Sequence, residues 1–321
     1  MQAYLDILGN IYNNCSDMRQ NRTGIPDIGL GYGATFVHDM SMGFPLITTK
    51  KMGLKNIATE LEFFIRGITD KKWLQDRKCK IWNEWANPVK VEQEYNMKIH
   101  MLEKSGELTA AQKQAVRDYV MDCERDLGPI YGFQWRHFGG EYQWDKARIE
   151  KDPTDNFNPK QPGIDQVANA IDKLKKNPND RRIIVSAWNP TEFYQMALPP
   201  CHMMHQLIVR DGKLNLIWTQ RSCDMFLGIP YNIASYALLL LLYAKEAGLT
   251  PGILKGELHD AHIYSNHLDQ VATQLQRTPF PLPTVEIPDK NWRGMLKWRA
   301  DDGFVLRDYI CHEALRGAVA R

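Results

Sequence analysis

The stretch MALPPCHMMHQLIVRDGKLNLIWTQRSCD (residues 196–224) joins a cysteine-bearing loop to two strand-like runs. The runs MMHQLIV and LNLIWT flank Asp211-Gly212, a dipeptide that favours the type I′ turn of a two-residue β-hairpin. Strands of about four to nine residues each would bring Arg221 and Ser222 back towards Cys201. Because a nearby guanidinium favours the thiolate, the stretch predicts an activated nucleophile at Cys201.

Length and composition limit the class of protein. The 321 residues, 44% hydrophobic and 24% charged, are ordinary for a soluble protein with one large core or two smaller ones. A net charge of +2 is too small to indicate a nucleic-acid partner. The start lacks a signal-peptide pattern, and the longest apolar stretch, near 237–244, is far short of the ~20 residues that cross a bilayer. Six irregularly spaced cysteines favour reduced thiols, so we expect a cytoplasmic protein.

Hydrophobic periodicity predicts the elements around this hairpin. Helices are expected at 2–15, 54–66, 166–176 and 231–247, and strands at 30–37 and in the buried run IIVSAW, residues 183–188. On the second helix Glu60 lies beside the apolar stripe, so it would be partly buried. A partly buried carboxylate suits acid–base chemistry, whereas a helix-surface carboxylate is the alternative interpretation.

Segments along nearly the whole chain resemble, in order, the signature segments of the thymidylate synthase family. They are NRTG (21–24), GFPLITTKK (43–51), IWNEWA (81–86), LGPIYGFQWR (127–136), RRIIVSAWNP (181–190), LPPCHMMHQ (198–206), QRSCDMFLGIPYNIASY (220–236) and DAHIYSNH (260–267). Several correctly ordered motifs make chance improbable. Residues 87–126 stand outside the pattern and are charged and helical in character, so we expect one catalytic domain, residues 1–321, with a helical insertion there.

The resemblance implies a fold and a reaction. The fold is α+β, with a large mixed β-sheet flanked by helices, and the sheets pack face to face in a homodimer. The reaction transfers a one-carbon unit from 5,10-methylenetetrahydrofolate, a co-substrate, to C5 of dUMP through an adduct between Cys201 and C6. No metal is involved.

Residue roles follow from the same resemblance. The catalytic side chains would be Cys201, Glu60, Asn232, Tyr131, His202 and Arg221. The nucleotide would contact Arg22, Arg181, Arg182, Gln220, Arg221, Ser222, Asp224, Asn232, His262 and Tyr264. The folate would contact Lys50, Ile81, Trp82, Trp85, Asp224, Leu227, Gly228 and Ala320. The carboxamide of Asn232 offers a donor and an acceptor that match O4 and N3–H of uracil, which favours uracil over cytosine.

Structural interpretations stand beside these roles. Arg22 alone is typical of a surface arginine, the two tryptophans of IWNEWA of a core, and Asn232 of a polar residue capping a helix. Adjacent Arg181 and Arg182 on a strand would point to opposite faces. The family pattern resolves this, because the matching arginines reach the phosphate bound by the partner subunit.

Two other functional classes are open. The cysteine and histidines of 201–205, with His259, Asp260, His262 and His267, include zinc-ligand types, but strand alternation would divide them between faces. Metal analysis would test that class. A non-catalytic nucleotide-binding protein is the other, and an adduct of Cys201 with 5-fluoro-dUMP and methylenetetrahydrofolate would distinguish it from an enzyme.

The product is the remaining alternative. Hydride delivered by the folate gives dTMP and dihydrofolate, whereas water gives 5-hydroxymethyl-dUMP and tetrahydrofolate, and excluding water decides between them. Glu62, Thr219 and the terminus Val319-Ala320-Arg321 depart from the synthase pattern, and His259 adds an imidazole where glycine is common. Trp82, Trp85 and the tail are kept as a synthase needs, so we favour dTMP.

Overall fold

The computed structural model describes residues 1–290 and 292–320. The chain forms two compact units. The first comprises 1–61, 169–185 and 201–321, and the second comprises 62–168 and 186–200. The expectation of one catalytic domain over 1–321 concerns a functional unit and stays a prediction.

Helices and strands follow one another irregularly along the chain, unlike the regular βαβ alternation of an α/β protein. In order they are α1 (Gln2–Asn14), β1 (Asp27–Leu30), β2 (Ala34–Asp39), α2 (Leu54–Ile65), α3 (Lys71–Gln75), α4 (Pro88–Glu103), α5 (Ala110–Cys123), α6 (Tyr131–His137), α7 (Lys146–Lys151), α8 (Gln166–Lys176), β3 (Ile184–Ser186), β4 (His202–Arg210), β5 (Lys213–Asp224), α9 (Gly228–Ala247), β6 (Thr250–Tyr264), α10 (Leu268–Leu275), β7 (Thr284–Glu286) and β8 (Val305–Arg307). The helices predicted at 2–15, 54–66 and 166–176 are confirmed as α1, α2 and α8.

One six-stranded sheet organises the first unit. Its strand order is β1-β6-β5-β4-β3, and β2 also pairs with β6. The β5–β6 pair is parallel, whereas β4–β5, β1–β6 and β2–β6 are antiparallel. The apolar helix α9 packs on β5 and β6, and α1 packs on β1 and β2. The predicted mixed sheet flanked by helices is therefore confirmed.

The central hairpin forms as its turn dipeptide predicts. Strands β4 and β5 pair in register up to Arg210 opposite Lys213. Asp211 and Gly212 have φ values of 51° and 71°, the positive pair that a type I′ turn requires. The hairpin fixes which side chains of β5 lie opposite the start of β4.

The prediction of one continuous strand at 30–37 is wrong, because a turn separates β1, which ends at Leu30, from β2, which begins at Ala34. Gly33 has φ +76°, and a Cβ there would lie 2.5 Å from the carbonyl oxygen of Leu258 on β6. Only glycine allows both that backbone conformation and that close approach. The predicted buried strand at 183–188 is also shorter, since β3 covers three residues and its Ile184 is 40% exposed.

The second unit contains α4 and α5 within residues 87–126. Val91 of α4 and Val120 of α5 pack together with Ala86 in a small apolar cluster. Asn87 caps α4, and Thr109 forms a capping box at the start of α5. No helix among the described residues is long and apolar enough to cross a membrane.

Candidate active site

The hairpin places Arg221 next to Cys201. The backbone N–H of Arg221 donates to the carbonyl oxygen of Cys201 at 2.9 Å, and His202 lies opposite Gln220 in the strand register. Cys201 is half-buried immediately before β4. The predicted return of β5 towards the cysteine is therefore confirmed.

The carboxyl ends of β5 and β6 bring further polar side chains to the same region. Ser222 lies opposite Asp260 and Asp224 opposite His262 in the parallel register. The register of β1 continues this row, with Asp27 opposite Tyr264. This end of the sheet thus carries four residues that the family resemblance assigns to the nucleotide, Ser222 and Asp224 on β5 and His262 and Tyr264 on β6.

Helix α9 begins earlier than predicted, at Gly228 rather than near 231. The cause is Asp224, whose Oδ1 accepts the backbone N–H groups of Phe226 and Leu227 at 2.9 and 3.1 Å and turns the chain into the helix. Asn232 is consequently inside the helix, and the interpretation of Asn232 as a helix cap is wrong. Its Oδ1 instead accepts from Nε2 of Gln220 at 3.0 Å.

His202 is a neutral side chain in this site. It is buried, its Nδ1 lies 2.9 Å from the hydroxyl oxygen of Tyr236, and burial lowers its pKa to about 3. An imidazole without a charge cannot stabilise a thiolate as a cation would. His202 therefore supplies no positive charge to Cys201.

The environments of His262 and Tyr264 both raise the pKa of the side chain, for different reasons. Burial lowers the pKa of His262, but the hydrogen bond of Asp260 and the charge of Asp224 outweigh it and leave the pKa raised. Burial, followed by the charge of Asp224, raises the pKa of Tyr264 to about 12. Both side chains therefore keep N–H or O–H donors at neutral pH, which suits binding to a ligand hydroxyl.

The arginines assigned to phosphate occupy exposed positions. Arg22 is exposed on a loop fixed by Asn21, whose Oδ1 accepts the backbone N–H of Thr23 at 2.9 Å and whose Nδ2 donates to the carbonyl oxygen of Ile25 at 2.8 Å. Arg181 and Arg182 are exposed just before β3. Because irregular backbone precedes the strand, the alternation expected of strand residues does not apply to them.

Lys50 and Glu60 differ in exposure. Lys50 is buried, donates to the carbonyl oxygen of Phe226 and places Nζ 3.6 Å from the centroid of the Phe226 ring. Burial lowers its pKa to about 7, although the charge of Asp224 acts in the other direction. Glu60 on α2 is half-buried, as the helical pattern predicts.

Comparison with known families decides the classification. The family model described as thymidylate synthase matches residues 2–321.

The chain belongs to the thymidylate synthase family.

Two relatives of this family member illustrate the breadth of the match. The thymidylate synthase of Mycoplasma pneumoniae is 40% identical over 325 residues, which cover all of both chains. The bifunctional dihydrofolate reductase-thymidylate synthase of Paramecium tetraurelia is 39% identical over 317 residues, which cover 99% of this chain and 60% of that protein.

The second unit of this thymidylate synthase family member holds an aromatic cluster. The rings of Phe64 and Tyr131 have centroids 4.8 Å apart, and Trp82 lies 6.0 Å from Tyr131 in an edge-on arrangement. Trp82 and Tyr131 are buried, whereas Trp85 is half-buried and Ile81 is exposed. The packing matches the core interpretation of Trp82, and the folate contacts of these residues stay predictions.

The chain near its end lies along α10 and the residues before it. The carbonyl oxygen of Ala318 lies 2.8 Å from Nε2 of His267, and Gln270 donates to the carbonyl oxygen of Arg316 at 3.2 Å. Ala320 is half-buried, as are Leu227 and Gly228. The predicted effect of Arg321 lies outside the described residues.

Trp218 also belongs to this region, although the sequence patterns did not predict it. Its Nε1 donates to Oε1 of Gln220 at 3.2 Å, and its ring stacks on Tyr236 with centroids 5.1 Å apart. The period of two along β5 was the available signal, since it places residues 218 and 220 on one face. No group of three or more His, Cys, Asp or Glu side chains within 1–290 and 292–320 is placed to hold a metal ion.

Proposed function

We propose that this chain converts dUMP to dTMP with 5,10-methylenetetrahydrofolate and releases dihydrofolate. The observation that carries the proposal is the position of Cys201, whose carbonyl oxygen accepts the Arg221 N–H at 2.9 Å at the open end of the hairpin. The family match over residues 2–321 supports the same chemistry.

Cys201 is the proposed nucleophile. Its thiolate adds to C6 of the pyrimidine, and C5 then becomes reactive towards the one-carbon unit. Arg221 favours the thiolate by its positive charge. His202 is proposed as a further catalytic side chain next to Cys201, and it is uncharged. The bond between Cys201 and C6 breaks again when the product forms and returns the thiolate, so one difficult substitution is divided into easier steps.

Separate groups are proposed to hold the rest of the nucleotide. Guanidinium forks suit a phosphate dianion, so Arg22 and Arg221 bind it together with Ser222. His262 and Tyr264 bind the 3′-hydroxyl of the deoxyribose, which their retained donors favour. Asn232, with Gln220 behind it, recognises the base.

The folate supplies the one-carbon unit and, for dTMP, the hydride. Glu60 is proposed to assist loss of the C5 proton through water, with Tyr131 near the reacting base. The folate is proposed to contact Lys50, Ile81, Trp82, Trp85, Asp224, Leu227, Gly228 and Ala320. For Lys50 this needs its ammonium to leave the carbonyl oxygen of Phe226.

A homodimer completes the proposal, with Arg181 and Arg182 acting on the phosphate bound by the partner. Two apolar strand residues support it, because Ile184 of β3 is 40% exposed and Val37 of β2 is 48% exposed on strands with buried neighbouring residues. Apolar side chains on a sheet face favour a covering partner.

Light scattering should give twice the 37.1 kDa of one chain, and a monomer mass at assay concentration would contradict the dimer.

The product assay tests the reaction itself. Incubation with dUMP and methylenetetrahydrofolate should give a nucleotide of the mass of dTMP, with dihydrofolate formed in equal amount by absorbance. A nucleotide of the mass of 5-hydroxymethyl-dUMP, without dihydrofolate, would instead identify a hydroxymethylase. Glu62 suggested that alternative, but it is buried and its Oε1 accepts a hydrogen bond from Nη1 of Arg66 at 3.3 Å. This contact is a structural role for Glu62 that does not involve the reaction.

The proposed location is the cytoplasm. None of the six cysteines forms a disulfide bond, which fits a reducing compartment.

A further inference from the structure

Three side chains of the first unit form a hydrogen-bonded line from the core to the proposed base-binding amide. Trp218 Nε1 donates to Gln220 Oε1 at 3.2 Å, and Gln220 Nε2 donates both to the Ser222 carbonyl oxygen at 3.0 Å and to Asn232 Oδ1 at 3.0 Å. Trp218 is 0% exposed and Gln220 2% exposed. We propose that Trp218 is a positioning residue that fixes the orientation of the Asn232 carboxamide and so sets the choice of base. This inference rests on the proposed function.

The chemistry of the two ends of the line determines the orientation of Gln220. An indole N–H only donates, and a backbone carbonyl only accepts. Oε1 of Gln220 must therefore face Trp218, and Nε2 must face Ser222. Because that Nε2 also points at Asn232, the acceptor Oδ1 of Asn232 must face Gln220, and Nδ2 must face away.

Burial makes this arrangement costly to reverse. Turning Gln220 over would put Nε2 against the indole N–H and Oε1 against the carbonyl oxygen of Ser222, and both contacts would be repulsive. A buried polar group without its partner loses the full free energy of its desolvation. The carboxamide of Asn232 is thereby restricted to one of its two orientations.

One orientation can serve only one of two bases. Uracil presents a donor at N3 and an acceptor at C4, whereas cytosine presents an acceptor at N3 and a donor at C4. An amide free to rotate by 180° could match either pattern, since it carries both a donor and an acceptor. A fixed Asn232 therefore discriminates, and Trp218 contributes to the discrimination without contacting the nucleotide.

The position of Trp218 depends on a glycine of the neighbouring strand. A Cβ at Gly256 would lie 2.4 Å from the Trp218 ring, so only glycine leaves room for the indole there. Tyr236 of α9 also stacks on the indole, with ring planes 8° apart. The indole is held between α9 and β6, which aims its N–H at Gln220.

The test compares nucleotide binding in Trp218→Phe, which removes the N–H and keeps an aromatic ring. Dissociation constants for dUMP and dCMP are measured by calorimetry without folate, so turnover does not enter. The ratio of the dCMP constant to the dUMP constant should fall roughly three- to tenfold, the effect of losing one hydrogen bond. Trp298→Phe is the matched control, because Trp298 is also buried but donates to the carbonyl oxygen of Gly303.

Gln220→Met provides the second variant, since it keeps an unbranched side chain without either polar end. It should lower the ratio at least as much, and Trp218→Phe should then cause no further change in the Gln220→Met background. The inference would be overturned if the ratio of the dCMP constant to the dUMP constant in Trp218→Phe equalled that of the wild-type protein. If Trp218→Phe does not fold, the same ratio in Gln220→Met decides. A fall in Trp298→Phe equal to that in Trp218→Phe would do the same. Failure of the wild-type protein to bind dUMP would contradict the proposed function instead.

Discussion

Replacing Cys201 with serine should abolish dTMP formation while leaving dUMP binding largely intact. A hydroxyl is a far weaker nucleophile than a thiolate, so kcat should fall at least about a thousandfold. The phosphate, sugar and base are assigned to other side chains, among them Arg22, His262 and Asn232, so the dissociation constant of dUMP should change little. Single-turnover kinetics and calorimetry measure the two quantities separately.

The thiol itself can be identified by an adduct. Peptide mass mapping after incubation with 5-fluoro-dUMP and methylenetetrahydrofolate should place the added mass on Cys201. The nearby Cys223 is excluded by its environment, because burial raises the pKa of its thiol and Sγ already donates to the carbonyl oxygen of Gln220 at 3.5 Å. Cys123→Ser, the same change at an exposed position, should retain turnover. Substantial turnover by Cys201→Ser would remove the covalent mechanism.

Replacing Asn232 with aspartate should weaken dUMP and shift preference towards dCMP. Aspartate keeps the oxygen that accepts from Gln220 at 3.0 Å, so the local structure should persist. The second oxygen replaces the Nδ2 donor, and it then faces an acceptor in uracil but a donor in cytosine. An unmatched buried polar group reduces affinity by roughly ten- to a hundredfold, which sets the expected loss for dUMP.

Asn215→Asp is the matched control for this change. Asn215 also carries a carboxamide on β5, whose Oδ1 accepts the backbone N–H of Ile253 at 2.7 Å and whose Nδ2 donates to the carbonyl oxygen of Ile208 at 3.2 Å. It should lower stability without altering base preference. An unchanged ratio of dUMP to dCMP affinity in Asn232→Asp would refute the assignment of Asn232 to the base.

The sequence predicted correctly those elements that are determined by residues close together in the chain. Asp211-Gly212 specified the turn by backbone conformation, and the apolar spacing of residues 54–65 specified α2 with Glu60 at its edge. The neighbourhood of Cys201 and Arg221 followed from strand length alone. These features depend on residues close in sequence or on a short hairpin, so one sequence contains the necessary information.

Features set by distant contacts were missed. The turn at Gly33 depends on the backbone of Leu258, which is far away in the sequence. The start of α9 was also missed, although its cause, the hydrogen bond from the Phe226 N–H to Asp224, is local. The link from Trp218 to Gln220 needs the face of β5 to be known and the indole to be held by β6. Hydrophobic patterns show that such side chains are buried, but they do not show the directions of their polar atoms.

The close approach of Gly256 to the Trp218 ring also couples the substitutions that this chain can accept at the two positions. A larger residue at 256 is tolerated only after the indole has been replaced by something smaller, and a smaller residue at 218 alone leaves a void until 256 grows. Either substitution alone should therefore lower stability, whereas the two together should not. Changes at 218 and 256 should therefore be strongly non-additive, and a double variant that exchanges the large and the small residue should be more stable than the two single changes predict.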